Sequence, residues 1–158
     1  MNRKYDTARY YESIKLLREV FQHPAITTDL IVGFPQETED EFAQTLAFLR
    51  RCAFSSMHIF PYSRRRGTRA EPLGMLAGEI VGARLTELGA LATELHKRAL
   101  SSMIGKTLEV LVETEKGGVC FGHARNYAGV YLSGAQTGAC RDVKITSLSG
   151  DGLKGEII

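Results

Sequence analysis

The sequence is poor in cysteine and lacks long hydrophobic runs. Its three cysteines, Cys52, Cys120 and Cys140, lie far apart, without the C-x-x-C or similar spacing of a metal clip or redox pair. We therefore expect reduced, partly buried thiols. No apolar run approaches the roughly 18 residues that a membrane-spanning helix needs, and the N-terminus leads into a polar helix rather than an apolar signal core. These absences predict a cytoplasmic protein that does not associate with membranes.

The sequence also lacks a large excess of charge of one sign. The formal net charge of the 158 residues is only +2, so the charge of the whole chain does not indicate a nucleic-acid partner. Any such partner must be inferred from local clusters of basic residues. The hydrophobic fraction of 44% and the charged fraction of 24% are typical of a soluble globular protein with one ordinary domain or two small ones.

The first half of the chain alternates between helical and strand patterns. One apolar stripe predicts a helix over residues 7–21, and it consists of Tyr10, Ile14, Leu17 and Phe21. A strand is predicted over residues 26–32, and its apolar end, Leu30 to Val32, is typical of a strand covered on both faces. Thr38 and Glu41 form a capping box that begins a helix to about Cys52. Residues 56–60 are the next predicted strand.

The order of these elements predicts a parallel sheet. Two strands that flank one helix with short connections form a βαβ unit, whose crossover is right-handed. Each strand ends in a loop marked by Gly or Pro, at residues 33–38 and 61–68. Because ligands of parallel α/β sheets bind at the carboxyl ends of the strands, we expect the functional site at these two loops.

The second half changes from helical to alternating periodicity. A helix is predicted from about Ala77 to Ile104, with Gly105 as the residue that ends it. Beyond Gly105, five short strands separated by Gly-rich turns predict a small OB-like barrel. The first turn is a hairpin at Lys116-Gly117-Gly118.

Several motifs occur together in one order. They are Met1-Asn2-Arg3-Lys4-Tyr5, the loop from Gly33 to Thr38, the stretch from Phe60 to Thr68, and Ile104-Gly105-Lys106-Thr107. This set resembles the C-terminal part of the radical S-adenosylmethionine methylthiotransferases, which insert a methylthio group into a tRNA base or a ribosomal protein. The resemblance implies an α/β fold: the C-terminal half of a radical-SAM (β/α) barrel at 1–76, a connecting helix at 77–104, and an OB-like TRAM barrel that binds RNA at 105–158.

Within this family, two stretches look most like the branch that acts on tRNA N6-threonylcarbamoyladenosine at position 37. They are the residues before the first strand, Ile26 to Asp29, and those from His58 to Ser63. Two positions depart from the family: Gln36 stands where Gly is usual, and Arg69 stands where Pro is usual. The C-x-x-x-C-x-x-C motif that binds the family's catalytic 4Fe-4S cluster is absent, as are the cysteines of its second cluster.

The resemblance implies a cofactor site at the two loops. Six residues are expected to contribute to an S-adenosylmethionine pocket: Gly33, Phe34, Pro35, Phe60, Pro61 and Tyr62. A glycine at a strand end lets a ligand approach the backbone closely, and backbone at the second strand end can hydrogen-bond a purine. The alternatives are a strand-to-helix turn without a ligand, and core aromatic residues that leave the sheet. His58 has no Cys or carboxylate neighbour in sequence, and we interpret it as structural.

Basic residues predict contacts with RNA. In the loop after the second strand these are Arg64, Arg65, Arg66 and Arg69, and in the small barrel the candidates are Lys106, His123, Arg125, Asn126 and Tyr127. Arginines neutralise phosphates, and an amide and an aromatic ring suit RNA bases. The alternative for the loop is a solvated segment. In the barrel, six Glu and Asp side chains balance the basic ones.

The function implied by the resemblance is that of the C-terminal portion of a tRNA methylthiotransferase. In the full-length family the cofactors are S-adenosylmethionine and 4Fe-4S clusters, and we expect neither to bind this chain alone with full affinity. We assign no catalytic and no metal-binding residue. The expected partners are tRNA and an N-terminal half that carries the clusters. The alternatives are a stand-alone RNA-binding module and a truncated fragment without catalysis.

Overall fold

The computed structural model describes residues 4–158, so the first three residues of the Met1 to Tyr5 motif lie outside it. The chain forms two units. One unit contains the residues up to Val20 and Ile26–His96, and the other contains Phe21–Ala25 and Lys97–Ile158. We call them the sheet unit and the barrel unit. None of the helices in the described range is long and apolar enough to cross a membrane.

The sheet unit contains the predicted βαβ arrangement. Its elements are α1 (Thr7–Val20), β1 (Thr27–Val32), α2 (Glu39–Cys52), β2 (Ser56–Pro61) and most of α3 (Gly78–Ser101). The two strands are parallel, with Leu30 opposite Ile59. The capping box of α2 is confirmed, because Thr38 Oγ1 accepts a hydrogen bond from the Glu41 amide while the Glu41 carboxylate accepts one from the Thr38 amide.

The sheet of this unit is covered on one face only. Exposure alternates along β1, and Ile31 is 40% exposed opposite Phe60, which is 51% exposed. The expectation that β1 is covered on both faces is therefore wrong. The continuous apolar run reflects one face packed on the helices and one face that no element in residues 4–158 covers.

Two helices differ from their predicted patterns. Helix α1 ends at Val20 and buries Ile14, whereas Leu17 and Phe21 are exposed. Helix α3 ends at Ser101, three residues before the predicted end, and a series of turns leads to Gly105. Gly105 has the expected positive φ of 83°, and its amide donates to Ile145 O at 2.8 Å. This glycine therefore connects the chain to the barrel instead of capping the helix directly.

The barrel unit contains the five predicted strands. They are β3 (Thr107–Lys116), β4 (Val119–Ala124), β5 (Gly129–Leu132), β6 (Cys140–Ser149) and β7 (Gly152–Ile157). They close in the order β3-β4-β5-β7-β6, in which only β5 and β7 pair in parallel. The β3–β4 hairpin has positive φ at both Gly117 and Gly118, as a type I′ turn requires. The interior includes Val110, Val112, Val130, Val143 and Leu153, which are fully buried.

Candidate functional site

The two predicted ligand loops meet at the carboxyl edge of the parallel sheet. The Tyr62 amide donates to Val32 O at 2.8 Å, which extends the pairing of the strands into the loops. Beyond this bond, the rings of Phe34 and Tyr62 pack edge to face with centroids 5.2 Å apart. The structure thus brings residues of both halves of the predicted cofactor site together, as the parallel βαβ arrangement predicts.

Gly33 begins the first loop in a conformation that few other residues adopt. Its φ is +74°, it is buried, and a Cβ at this position would lie 2.8 Å from Val81 Cγ2 of α3. Its amide donates to Glu37 Oε2 at 3.0 Å. The backbone of Gly33 is therefore packed against α3, and its donor is used within the loop.

Arg84 of α3 holds the same loop through two ion pairs, and no sequence motif had indicated its role. Its guanidinium donates to Glu37 Oε2 and to Glu39 Oε1, both at 2.7 Å, and lies 4.9 Å from the ring centroid of Phe42. Arg84 is 3% exposed. Burial lowers its pKa, but hydrogen bonds and charges from Glu39 and Glu37 outweigh burial and raise the pKa, so the side chain is a cation. Its charged position within the apolar stripe of α3 was the available signal.

The remaining predicted cofactor residues differ in exposure. Pro35 is buried, whereas Phe60 and Pro61 are exposed. On the uncovered face of the sheet, His58 lies opposite Asp29 in the strand register, next to the Ile31 and Phe60 pair. Gln36, where the resembling family usually has Gly, is exposed and has a φ of +67°. A left-handed backbone at this position explains why glycine suits it.

The arginine loop after β2 is exposed but ordered by turns. Arg64 donates to Leu73 O at 3.1 Å, and Thr68 Oγ1 donates to Arg65 O at 2.8 Å. Within residues 4–158, no ion pair engages the side chains of Arg65, Arg66 or Arg69. Three guanidinium groups on this loop thus lack an acidic partner in the structure.

In the barrel unit, four of the five predicted RNA-binding residues already have hydrogen-bond or ion-pair partners, and that of His123 is Glu113. Lys106 Nζ lies 3.1 Å from His23 Nδ1, and Arg125 forms an ion pair with Glu109. Hydrogen bonds and charge from Arg125 lower the pKa of Glu109. Asn126 donates to His23 O at 3.1 Å and accepts from the Ala128 amide.

Tyr127, the fifth, is 85% exposed with a φ of +62°. Arg125, Asn126 and Tyr127 line an open groove of about 550 Å³ formed by residues 21–25, 107–109 and 124–127. The side chains of Tyr127 and of Arg125, the latter 83% exposed, are therefore both directed mainly to solvent.

A metal centre does not fit the described residues by themselves. Cys52 and Cys120 are buried and Cys140 is exposed, and burial raises the pKa of the Cys52 thiol. Residues 4–158 contain no group of three or more His, Cys, Asp or Glu side chains placed to hold a metal ion. An iron–sulfur cluster needs several thiolates together, so this chain alone does not supply its ligands.

Comparison with known proteins decides between the possible families. No family model matches the chain. The chain is 38% identical over 161 aligned positions to tRNA-2-methylthio-N(6)-dimethylallyladenosine synthase from Thermodesulfovibrio yellowstonii, an alignment that covers 100% of this chain and 37% of the relative. Its relatives are tRNA methylthiotransferases. The match lies in their C-terminal part, which confirms the predicted resemblance at this level.

Two further relatives have the same name. The synthase of Bacillus subtilis is 40% identical over 116 residues, or 73% of this chain and 23% of the relative. That of Mycobacterium tuberculosis strain CDC 1551 is 44% identical over 118 residues, or 74% of this chain and 22% of the relative. The chain thus spans between about a fifth and two fifths of the length of these relatives. Because they are named for dimethylallyladenosine, our assignment to the threonylcarbamoyladenosine branch is not supported.

Proposed function

We propose that this chain is the C-terminal portion of a tRNA methylthiotransferase whose substrate is a tRNA containing N6-dimethylallyladenosine. The observation that carries the proposal is the similarity of the whole chain to the Thermodesulfovibrio yellowstonii synthase. In this proposal the sheet unit contributes part of a cofactor pocket and the barrel unit binds tRNA. The proposed fold family is the radical-SAM barrel for the sheet unit and the TRAM domain for the barrel unit.

The loop edge of the sheet unit is suited to the adenine part of S-adenosylmethionine. The rings of Phe34 and Tyr62 pack against each other, and the exposed ring of Phe60 lies near the end of β2, the strand that leads to Tyr62. The Tyr62 amide is engaged by Val32 O, so a purine here would contact rings and carbonyl oxygens instead of that amide. In the full-length family the cofactor supplies radical chemistry at a 4Fe-4S cluster. In this proposal the residues of this chain hold and orient the cofactor, and we assign none of them a chemical step.

The arginine loop is suited to tRNA phosphates. Arg65, Arg66 and Arg69 are exposed and lack acidic partners, and Arg64 stabilises the loop by its bond to Leu73 O. When such cations bind phosphates, they release the counterions condensed on the RNA, and the entropy of the released ions makes the affinity depend on salt. The loop follows β2 directly, at the same edge as Tyr62, so these contacts would bring RNA to the side of the proposed pocket.

A stand-alone RNA-binding module is a second candidate, and the closure of the barrel favours it. Each of its five strands pairs with two neighbours, and it has a core of its own. Such a barrel needs no other strand to complete it. In this alternative the sheet unit has no cofactor role, whereas tRNA binding by the barrel is retained.

The experiment that tests the proposal is a salt titration of tRNA binding by the whole chain. We expect binding at low salt that weakens linearly in log affinity against log salt. Replacement of Arg64, Arg65 and Arg66 by alanine should lower the slope by roughly one for each lost phosphate contact.

The matched control removes the same amount of charge elsewhere. It replaces three exposed basic residues of α1 and α3, Arg9, Lys15 and Arg98, by alanine. If the control lowers the slope as much as the loop variant does, nonspecific charge explains binding and the arginine loop has no special role. Absence of tRNA binding by the unaltered chain at low salt would contradict both candidate functions.

A further inference from the structure

Four aromatic side chains form a row in the barrel unit. The ring centroids of Tyr127 and His123 are 6.2 Å apart, those of His123 and Phe121 are 5.1 Å apart, and those of Phe121 and Tyr131 are 5.0 Å apart. We call these four residues the aromatic row. Of its members, Tyr127 and His123 were identified from the sequence as site residues, whereas Phe121 and Tyr131 were not.

The row lies on the outer face of β4 and β5. Exposure alternates along β4, so that Cys120, Gly122 and Ala124 face the interior while Phe121 and His123 face outward. In the register, Phe121 is opposite Tyr131. An outer barrel face is usually polar because it meets water, so a line of four rings on it needs an explanation.

Glycines leave space on the backbone for two of the rings, those of Phe121 and Tyr131. A Cβ at Gly129 would lie 2.9 Å from the ring of Phe121, and a Cβ at Gly152 would lie 3.4 Å from the ring of Tyr131. His123 is held from the side, because its Nδ1 lies 3.0 Å from the carboxylate oxygens of Glu113. The rings are therefore ordered before any ligand binds, which reduces the entropy lost on binding.

Basic residues and grooves lie at both ends of the row. Lys154 pairs with Tyr131 in the register of β5 and β7, and both line an open groove of about 610 Å³. At the other end, Tyr127 lines the groove of about 550 Å³ described above, whose margin also contains Arg125. An extended anionic chain that crosses the row would thus meet a cation at each end. The complementary ligand has stacking groups spaced along a negatively charged backbone.

We propose that the aromatic row binds unpaired RNA bases by stacking, with the phosphates of the same strand directed toward Lys154 and Arg125. The proposal rests on the proposed tRNA function and identifies the part of the RNA that the barrel binds. In a five-stranded OB barrel, the face of the second and third strands is a common surface for oligonucleotides, and β4 and β5 hold these positions. Aromatic platforms bind single strands because every base presents a ring face, whereas bases within a duplex do not.

The test uses the whole chain and a single-stranded RNA oligonucleotide of mixed sequence. Replacement of Tyr131 and Phe121 by leucine keeps the apolar surface but removes the rings, and Tyr127→Asn keeps a residue type that tolerates the positive φ. Each variant should weaken binding by roughly 5- to 100-fold, which corresponds to the loss of one stacked base. Leu111→Ala is the matched control, since Leu111 is 44% exposed on the outer face of β3 opposite His123, outside the row.

A second measurement separates bases from phosphates. The chain contains no tryptophan, so Tyr131→Trp introduces a single fluorescent reporter in the row. We expect quenching by the normal oligonucleotide and a much weaker response to one of equal length with abasic sites, which keeps the phosphates. Folding of every variant is checked by circular dichroism.

The outcomes distinguish this inference from the proposed function. If the unaltered chain binds tRNA but the ring variants bind the oligonucleotide as tightly as Leu111→Ala does, the stacking surface is refuted and the tRNA function stands. Equal affinity for normal and abasic oligonucleotides would also refute it. A reporter that responds to a proline-rich peptide and not to RNA would assign the row to protein recognition and overturn the inference.

Discussion

The two units satisfy their strand edges and faces in different ways. In the barrel unit, each of the five strands has two neighbours, and the inward side chains form a closed core. In the sheet unit, β1 and β2 pair only with each other within the described residues, and one face of the pair exposes Ile31 and Phe60. Open strand edges and exposed apolar faces are usually covered in native proteins. Within the described residues, the barrel thus closes on itself, whereas the sheet leaves two strand edges and one face open.

The two-stranded sheet nevertheless has an ordered carboxyl edge, where the two predicted ligand loops lie and which we call the ligand edge. The loops after β1 and β2 are held by the Tyr62 to Val32 bond, by the Phe34 and Tyr62 rings and by Arg84 from α3. Of these groups, Arg84 reaches the first loop from α3, whose apolar residues pack in the core on the covered face of the sheet. The first loop is thus supported from the helical side of the sheet.

The largest expected effect comes from Gly122→Ala in the barrel. A Cβ at Gly122 would overlap Leu111 O and lie 2.9 Å from Val112 Cα, and neither backbone atom can move without opening the β3–β4 ladder. We expect a loss of about 3 kcal/mol or more in the stability of the barrel unit, at the upper end of overpacking effects. Hydrogen exchange followed by mass spectrometry reports each unit separately and would show faster exchange in the barrel strands.

The same substitution should have the opposite sign in α3. Gly89 is helical, and a Cβ there meets no atom within 4 Å. Gly89→Ala should therefore slow exchange in α3, by up to about 1 kcal/mol of added stability. If Gly122→Ala leaves exchange in the barrel unchanged, then β3 and β4 approach each other less closely at Gly122 than the structure shows. The contrast between a closed barrel and an open sheet would then be contradicted.

The second effect tests how the ligand edge is supported. Arg84→Met keeps the length and apolar contacts of the side chain but leaves Glu37, whose side chain is 14% exposed, without its charged partner. Breaking a buried ion pair from one side costs about 3 kcal/mol when both partners are fully buried, and partial exposure of Glu37 reduces this to about 2 kcal/mol. Exchange of the loop amides, beginning with Gly33, should increase first.

Glu39→Gln is the control for this variant. Glu39 also bonds to Arg84, but its side chain is 77% exposed, and surface ion pairs contribute about 0.5 kcal/mol. A loss for Glu39→Gln equal to that for Arg84→Met would mean that the exposed carboxylate, and not the buried one, holds the loop.

Sequence patterns predicted the parts of the fold that depend on local chemistry. The capping box at Thr38 and the Gly117-Gly118 hairpin follow from residues that lie next to one another in the sequence, whereas the parallel pairing of β1 and β2 was predicted from the order of the elements. Periodicity also located the five strands of the barrel. The capping box and the hairpin form through contacts over a few residues, so neighbouring residue types determine them.

The parts that could not be predicted depend on distant contacts. Arg84 bonds to residues 45 and 47 positions away, and no local pattern reveals such a partner. Likewise, the apolar run of β1 could not show that one face would be uncovered, because periodicity identifies a face and not the element that packs on it. Phe121 and Tyr131 were missed as site residues for the same reason, since they come together only through the register of β4 and β5.

The smallest effect concerns Gln36, which lies in the first ligand loop. Its φ of +67° is costly for a residue with a Cβ, and glycine adopts it without that penalty. Gln36→Gly should therefore stabilise the sheet unit by about 0.5 to 1 kcal/mol, after allowance for the greater freedom of glycine in the unfolded chain. Hydrogen exchange of residues 33–38 measures this gain. The matched control is Gly67→Gln, which places the same side chain at a φ of +75° with no atom within 4 Å of its Cβ and should lose a similar amount. A gain at Gln36 without a loss at Gly67 would mean that Gln36 is strained by something other than its backbone, and the first loop would then be less regular than the second.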